Sequence, residues 1–193
     1  MATSSPTLNP AQTAFVAAQP LYFVATATAD SRINLSPKGM DSLRVLAPDR
    51  LIWLNATGSG NESAAHVAVD PRMTLMFCAF DGDPKILRIY GRARAVHQRD
   101  ADWPTLYGLF PPLPGARQIF DLAIEQVQTS CGFAVPLYDF RGPRDKLRDW
   151  AIGKGDDGLR EYWTQRNTTS IDGLPTGIVA GNLGDGSPET ASP

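Results

Sequence analysis

Apolar positions alternate with a period of two through most of the first 135 residues. Leu21–Ala29 (LYFVATATA) is rich in aromatic and β-branched residues, Asp30-Ser31 supplies a turn, and Arg32–Ser36 alternates, so the pair predicts a β-hairpin. Pro37-Lys38-Gly39 ends it. Leu43–Leu46 and Arg50–Asn55 flank Ala47-Pro48-Asp49 and predict a second hairpin, and Met73–Phe80 and Ile86–Val96 flank Asp81-Gly82-Asp83-Pro84 and predict a third. Ile124–Val135 reads as a returning strand.

Helical spacing is confined to the margins of these strands. Asn9–Gln19 reads as a short amphipathic helix with Phe15 and Val16 on its apolar side and Pro20 as its stop. A second short helical pattern ends before Pro71, and Trp103–Phe110 predicts another before the prolines of 111–114. Arg144–Trp150 and Gly158–Asn167 carry charged-and-apolar helical periodicity, with Asp145 near the start of the first. Trp150, Tyr162 and Trp163 on these late helices read as core or interface anchors. Frequent hairpins and few helices argue against a doubly wound parallel sheet. An antiparallel barrel, which closes its own edges, accommodates this order. The expected fold is mainly β: one domain over residues 1–175, with a barrel core at about 12–135, peripheral helices, and a helical part at about 140–175. Residues 176–193, rich in Gly, Ser and Pro and without aromatics, predict a flexible tail.

A chain of 193 residues with 42% hydrophobic and 20% charged residues is long enough for one well-buried core. The net charge of −2, and the lack of any Lys/Arg run with interleaved aromatics, argue against nucleic acid as a partner. MATSSPTLNPAQTAF has neither the basic nor the apolar region of a secretory signal. No apolar stretch approaches the roughly 18 residues of a membrane span. The expectation is a cytoplasmic protein without a membrane partner. Cys78 and Cys131 lie far apart in strand-like runs and form no CxxC unit, so both read as buried thiols.

Between the second hairpin and the short helix lies Thr57-Gly58-Ser59-Gly60-Asn61-Glu62-Ser63. Glycines let backbone amides approach a ligand, Ser and Thr hydroxyls add donors, and the helix start presents free N–H groups, so the loop can hold an anion such as phosphate. It follows neither the Walker pattern nor GxGxxG. The same residue types also make a helix N-cap through Asn61 or Ser63, with Glu62 as a capping-box partner, and the local pattern leaves both uses open. Arg88, Arg92 and Arg94 share one strand face, as a solvated barrel exterior or as a cationic wall. His66 reads as the polar side of the short helix and His97 as a strand end; neither has companions for a metal site.

FVATATADSRINLSPKG, RLIWLNATGSGNESAAHVAVDPRMTLMFCAF and ILRIYGRARAV resemble the core of the pyridoxamine 5′-phosphate oxidase-like family, the FMN-binding split barrels, over about residues 12–135. CGFAVPLYDF and TQRNTTSIDGLP resemble one subgroup distinct from the true oxidase. The resemblance implies a homodimer with FMN in a groove between two barrels and its phosphate at the 57–63 loop. It places Asn34, Leu35, Ser36, Pro37 and Lys38 along the isoalloxazine or ribityl chain, and Trp53 and Leu54 in the next contact region. The family's usual Ser-Arg-Lys, counted back from Asp70-Pro71-Arg72, falls on Asn61-Glu62-Ser63, so both phosphate-binding cations are missing. A neutral cradle of Ser59, Gly60, Asn61 and Ser63 with its backbone amides can still bind the phosphate, particularly where Lys38, Arg88 or Arg92 supplies charge. Lys38 is the residue placed closest to the chemistry, where it can stabilise negative charge on a reduced ring. The implied function is a flavoprotein oxidoreductase acting on a small organic substrate. Oxidation of pyridoxamine phosphate is not expected, because the late Arg-x-His of the oxidase has no counterpart. Relatives of this barrel also suggest a deazaflavin coenzyme, or a non-catalytic module holding flavin or haem.

Overall fold

The computed structural model describes residues 2–184. In chain order its elements are β1 (Thr3–Ser5), α1 (Pro10–Ala18), β2 (Tyr22–Thr26), β3 (Asn34–Lys38), β4 (Leu43–Ala47), β5 (Arg50–Ala56) and α2 (Glu62–Val69). β6 (Arg72–Cys78), β7 (Ile86–His97), α3 (Trp103–Tyr107), β8 (Ala116–Ser130), α4 (Lys146–Arg166) and α5 (Ile178–Asn182) follow. The three hairpins expected from alternation form as β2–β3, β4–β5 and β6–β7. α1 begins with a capping box: the Asn9 side chain accepts from the Gln12 N–H at 2.8 Å, and the Gln12 side chain accepts from the Asn9 N–H at 2.9 Å.

All strands pair antiparallel in one sheet of order β3-β2-β6-β7-β8-β5-β4, with β1 added on β8. The sheet curls on itself. Tyr22 and Val24 of β2, Leu51 and Trp53 of β5, and Leu75 and Phe77 of β6 share one core, although β2 and β5 are separated by three strands in the order. The Trp53 indole stacks on Phe120 at 4.4 Å and donates to Met73 Sδ at 3.4 Å. The outer face of β5, β7 and β8 is covered by α3 and its neighbours, with Ile52, Val96 and Ile119 packed against Leu106 and Phe110. Trp53 and Ile52 are therefore both fully buried, on opposite faces of one strand. Gly91 marks a register shift in the β7–β8 ladder, where a Cβ would overlap the carbonyl oxygen of Ala123.

Several expectations need correction. The returning strand is not Ile124–Val135 but β8, beginning at Ala116, because Arg117, Gln118 and Asp121 are buried in it and hide its apolar alternation. Cys131 lies beyond its end and is exposed, whereas Cys78 is buried as expected. The two late helices form as expected and follow one another in α4, separated at Gly155, whose non-helical φ of 65° suits a residue without a Cβ. The flexible tail expected from Thr176 is packed over residues 176–184: Thr176, Ile178 and Asn182 are buried, and the Asn182 side chain donates to Arg117 O at 2.9 Å. The remainder of that tail lies outside the described residues. His66 is not on a polar face but 1% exposed, with Nδ1 3.1 Å from Thr26 Oγ1, because α2 lies against β2.

Candidate anion and cofactor site

β5 delivers the chain into the loop at Thr57, which is fixed first. Its N–H and its hydroxyl each lie 2.7 Å from Gly115 O, and Trp163 Nε1 donates to its Oγ1 at 2.8 Å. The loop carbonyls are then taken up from behind: Gly58 O accepts from Asn167 Nδ2 at 3.1 Å, and Gly60 O from Arg117 Nη2 at 2.7 Å. The opposite edge stays free. No backbone N–H from Gly58 to Ser63 has a hydrogen-bond partner among the described residues. Asn61 stands at the N-cap position of α2 yet makes no cap hydrogen bond; both polar atoms of its amide are buried without a partner, and the residue is 2% exposed. Buried side-chain amides without a partner are rare in folded proteins. Glu62 makes no capping box either. Its carboxylate accepts from the Ile171 N–H at 3.1 and 3.2 Å, which ties it to the 168–176 turn.

Two cations that line the cavity beside this loop have no carboxylate partner among the described residues. Arg117, at the start of β8, is 3% exposed; Nη1 donates to Asn167 Oδ1 at 2.9 Å, and the Asn55 amide oxygen, turned toward it, accepts from Nε at 3.2 Å. Burial pushes its guanidinium down to about 9. Lys38 ends β3 with Nζ 5.1 Å from the Trp53 ring centroid, and burial, reinforced by the positive charge of Arg117, lowers its ammonium to about 8. Arg117 is buried and Lys38 half-buried, and the two positive charges oppose each other; an anion between them would relieve both.

The residues enclose a cavity of about 420 Å³, within the range of small-molecule sites. Asn34, Ser36, Pro37, Lys38, Leu54, Ser59, Gly60, Asn61 and Ser63, all expected from the sequence, line it. Ser63 Oγ accepts from Asn34 Nδ2 at 3.1 Å, and Asn34 Oδ1 accepts from Ser36 Oγ at 2.9 Å, which joins β3 to the start of α2. Leu35 points outward and is 63% exposed; Trp53 lies behind the cavity in the core. Arg88 donates to Ser130 Oγ at 3.3 Å and Arg92 is exposed, and neither lines the cavity. Arg94 is held by Asp121 and Asp102. The cation the loop uses is Arg117, which sequence reading passed over together with Asn55 and Asn167. The available signal was a lone arginine entering an apolar run just after Gly115.

Fold and cavity together define an antiparallel split barrel with a polar cleft at the end of β5, lined by Lys38 and Arg117. Residues 8–131 match the family model described as pyridoxamine 5′-phosphate oxidase. The chain is 38% identical over 178 residues, covering 81% of itself and 70% of the relative, to the pyridoxamine 5′-phosphate oxidase family protein ustO of Aspergillus flavus. It belongs to the pyridoxamine 5′-phosphate oxidase family. Among solved structures, a Lactobacillus delbrueckii protein provisionally described as a pyridoxamine 5′-phosphate oxidase is 23% identical with a TM-score of 0.52, over 64% of this chain and 94% of that one. HupZ of Group A Streptococcus is 16% identical with a TM-score of 0.50, over 62% of this chain and 91% of that one. Both likenesses concern the fold. No helix among the described residues is long and apolar enough to cross a membrane.

Proposed function

We propose that the chain is an FMN-binding flavoprotein, a cytoplasmic homodimer that carries out oxidoreductase chemistry on a small organic substrate. The observation that carries this is the pairing of two unneutralised cations, Lys38 and Arg117, with the free amides of 58–63 and the orphaned Asn61 side chain. Charge-assisted hydrogen bonds are about twice as strong as neutral ones, so Arg117 replaces what the family's missing pair would contribute. Asn167 and Arg117 hold the carbonyls of Gly58 and Gly60, and the Glu62 carboxylate is held by the Ile171 N–H. Bound flavin supplies the redox chemistry. Lys38, at the far end of β3, supplies a positive charge that an electron-rich ring or a substrate anion would hold in its protonated form. Ile33 and Leu35, exposed on and beside edge strand β3, support pairing with a second copy at that edge. Free Cys78 and Cys131 are compatible with a reducing compartment. A deazaflavin coenzyme would use the same phosphate seat, whereas haem finds no histidine lining any of the three described cavities.

The absorption spectrum of purified protein after reconstitution tests this reading. Two flavin bands that bleach under anaerobic conditions with a reduced nicotinamide or an organic donor are expected. A single deazaflavin band, a Soret band, or a flavin that no donor bleaches would overturn, in turn, the cofactor or the oxidoreductase assignment.

A further inference from the structure

Behind the cavity wall lies His66, buried on α2 and held by no ion pair among the described residues. Its ring has one polar neighbour: Nδ1 lies 3.1 Å from Thr26 Oγ1, while Nε2 is buried without a partner. A buried N–H without an acceptor is rarer and costlier than a bare ring nitrogen, so the ring proton belongs on Nδ1. His66 then donates to Thr26. The Thr26 hydroxyl, also buried, accepts again from Asn34 Nδ2 at 3.4 Å, which leaves Ser63 Oγ, at 3.5 Å, as the acceptor for its own proton. Ser63 Oγ accepts a second time from Asn34 Nδ2, at 3.1 Å, and the Asn34 amide is turned that way by Ser36, whose hydroxyl donates to Asn34 Oδ1 at 2.9 Å. Every bond that reaches the Ser63 hydroxyl brings it a proton. Its own O–H finds no acceptor among the described residues, and Ser63, Asn34 and Ser36 all line the cavity.

We propose that His66 is a positioning residue for the cavity: acting through Thr26, it fixes the Ser63 hydroxyl as a donor to an oxygen of the bound ligand. The chain runs one way, from His66 Nδ1–H through Thr26 and Ser63 to the ligand, and each bond polarises the next. The other tautomer reverses its first step, because Nδ1 would take the Thr26 proton and Ser63 would lose a donor. Asn34 and Thr26 occupy the acceptor side of Ser63, so the ligand atom that fits is an acceptor with no proton to give, as in a phosphate or carboxylate. Ser63 stands where the family's usual Ser-Arg-Lys ends, and a hydroxyl fed from the core takes the place of a cation there. As a contact to the FMN phosphate this rests on the flavin reading; the direction of the chain does not.

The tautomer is read on the ligand-free protein from the NMR shifts of the two ring nitrogens; the chain has two histidines, and His97→Gln identifies the His66 signals. A protonated Nδ1 with a bare Nε2 is expected, and a proton on Nε2 would overturn the proposal. FMN titration followed by flavin fluorescence reads the coupling. Ser63→Ala is expected to weaken FMN binding about tenfold. Thr26→Val is a β-branched isostere that suits β2, and Thr26 does not line the cavity. It is expected to weaken FMN about threefold in the parent and not at all in the Ser63→Ala background, while Thr26→Ser keeps the parent's affinity. Losses that add in the double variant, or a folded Thr26→Val protein that binds FMN like the parent, would overturn the proposal. A parent that takes up no FMN overturns the flavin reading alone; the proposal is then sustained by a proton on Nδ1 and overturned by one on Nε2.

Discussion

Changing Asn167→Asp separates the charge of Arg117 from the shape of the loop. Asn167 is fully buried at the C-cap of α4, with Oδ1 2.9 Å from Arg117 Nη1 and Nδ2 3.1 Å from Gly58 O. A carboxylate there is nearly isosteric, but it neutralises the guanidinium and removes the donor to the loop. At an effective dielectric of about 20, a carboxylate and a phosphate charge about 7 Å apart across the guanidinium repel by roughly 2 kcal/mol. That corresponds to roughly 30-fold weaker FMN binding. Asn167→Ala keeps the cation bare and loses only hydrogen bonds, so about fivefold is expected for it, or about 1 kcal/mol. The stability effects run the other way. Ala leaves a buried guanidinium N–H without an acceptor and costs about 2 kcal/mol, whereas Asp gives it a charged partner and keeps unfolding of the apoprotein near that of the parent. Flavin-fluorescence quenching gives the affinities and urea unfolding the stabilities. If the Asp variant binds FMN as tightly as the parent, Arg117 does not hold the phosphate.

Further outcomes follow from the same structure. Lys38 sits near 8 in the free protein and is raised by a bound anion, so binding takes up a proton above that pH. FMN affinity should hold steady from about pH 6.5 to 8 and fall beyond it, and Lys38→Met should flatten that limb; a flat parent profile would contradict the placement. Because the folded value lies below the unfolded one, Lys38 alone makes the apoprotein more stable as pH rises from about 8 to about 10.4, readable in melting temperature after correction with the Met variant. Burial pushes the Asp121 carboxyl up, but hydrogen bonds and charge from Arg50 and Arg94 outweigh it and hold it below the ordinary range. Its contribution is present above the unfolded value of about 3.9 and is lost as pH falls through the folded one; Asp121→Asn should cost about 2 kcal/mol at pH 7 and little at pH 2 in urea unfolding. Gly91→Ala drives a Cβ into the Ala123 carbonyl and should cost about 3 kcal/mol, read as a lowered urea midpoint, with no effect if the β7–β8 register is wrong.

The barrel was legible because hairpin alternation is a local property: each of β2–β3, β4–β5 and β6–β7 carries its own turn residues and period. β8 was not, since it is sandwiched between β5 and β7 and buries polar residues on both faces, leaving no period of two to read. With its start hidden, Arg117 had no place. The loop could be recognised as an anion seat or a cap from composition alone; that the Asn61 side chain makes no cap hydrogen bond is visible only in the structure. Asn167 and Glu62 show the same limit. Their roles depend on the 163–176 segment folding back onto a loop more than a hundred residues earlier. The packing of residues 176–184 rests on small residues, with Gly181 lying so close to His97 that no Cβ fits, and composition alone reads those residues as flexibility.

Comparison of FMN with riboflavin tests the central claim most directly, since the two differ only in the phosphate that the 57–63 loop, Lys38 and Arg117 are held to bind. The account predicts saturable FMN binding, riboflavin weaker by at least about 100-fold, and loss of most of that difference on Arg117→Gln, since charged hydrogen bonds contribute about 1.5–3 kcal/mol each. Equal affinity for the two flavins, or a preference for FMN that survives Arg117→Gln unchanged, would contradict it.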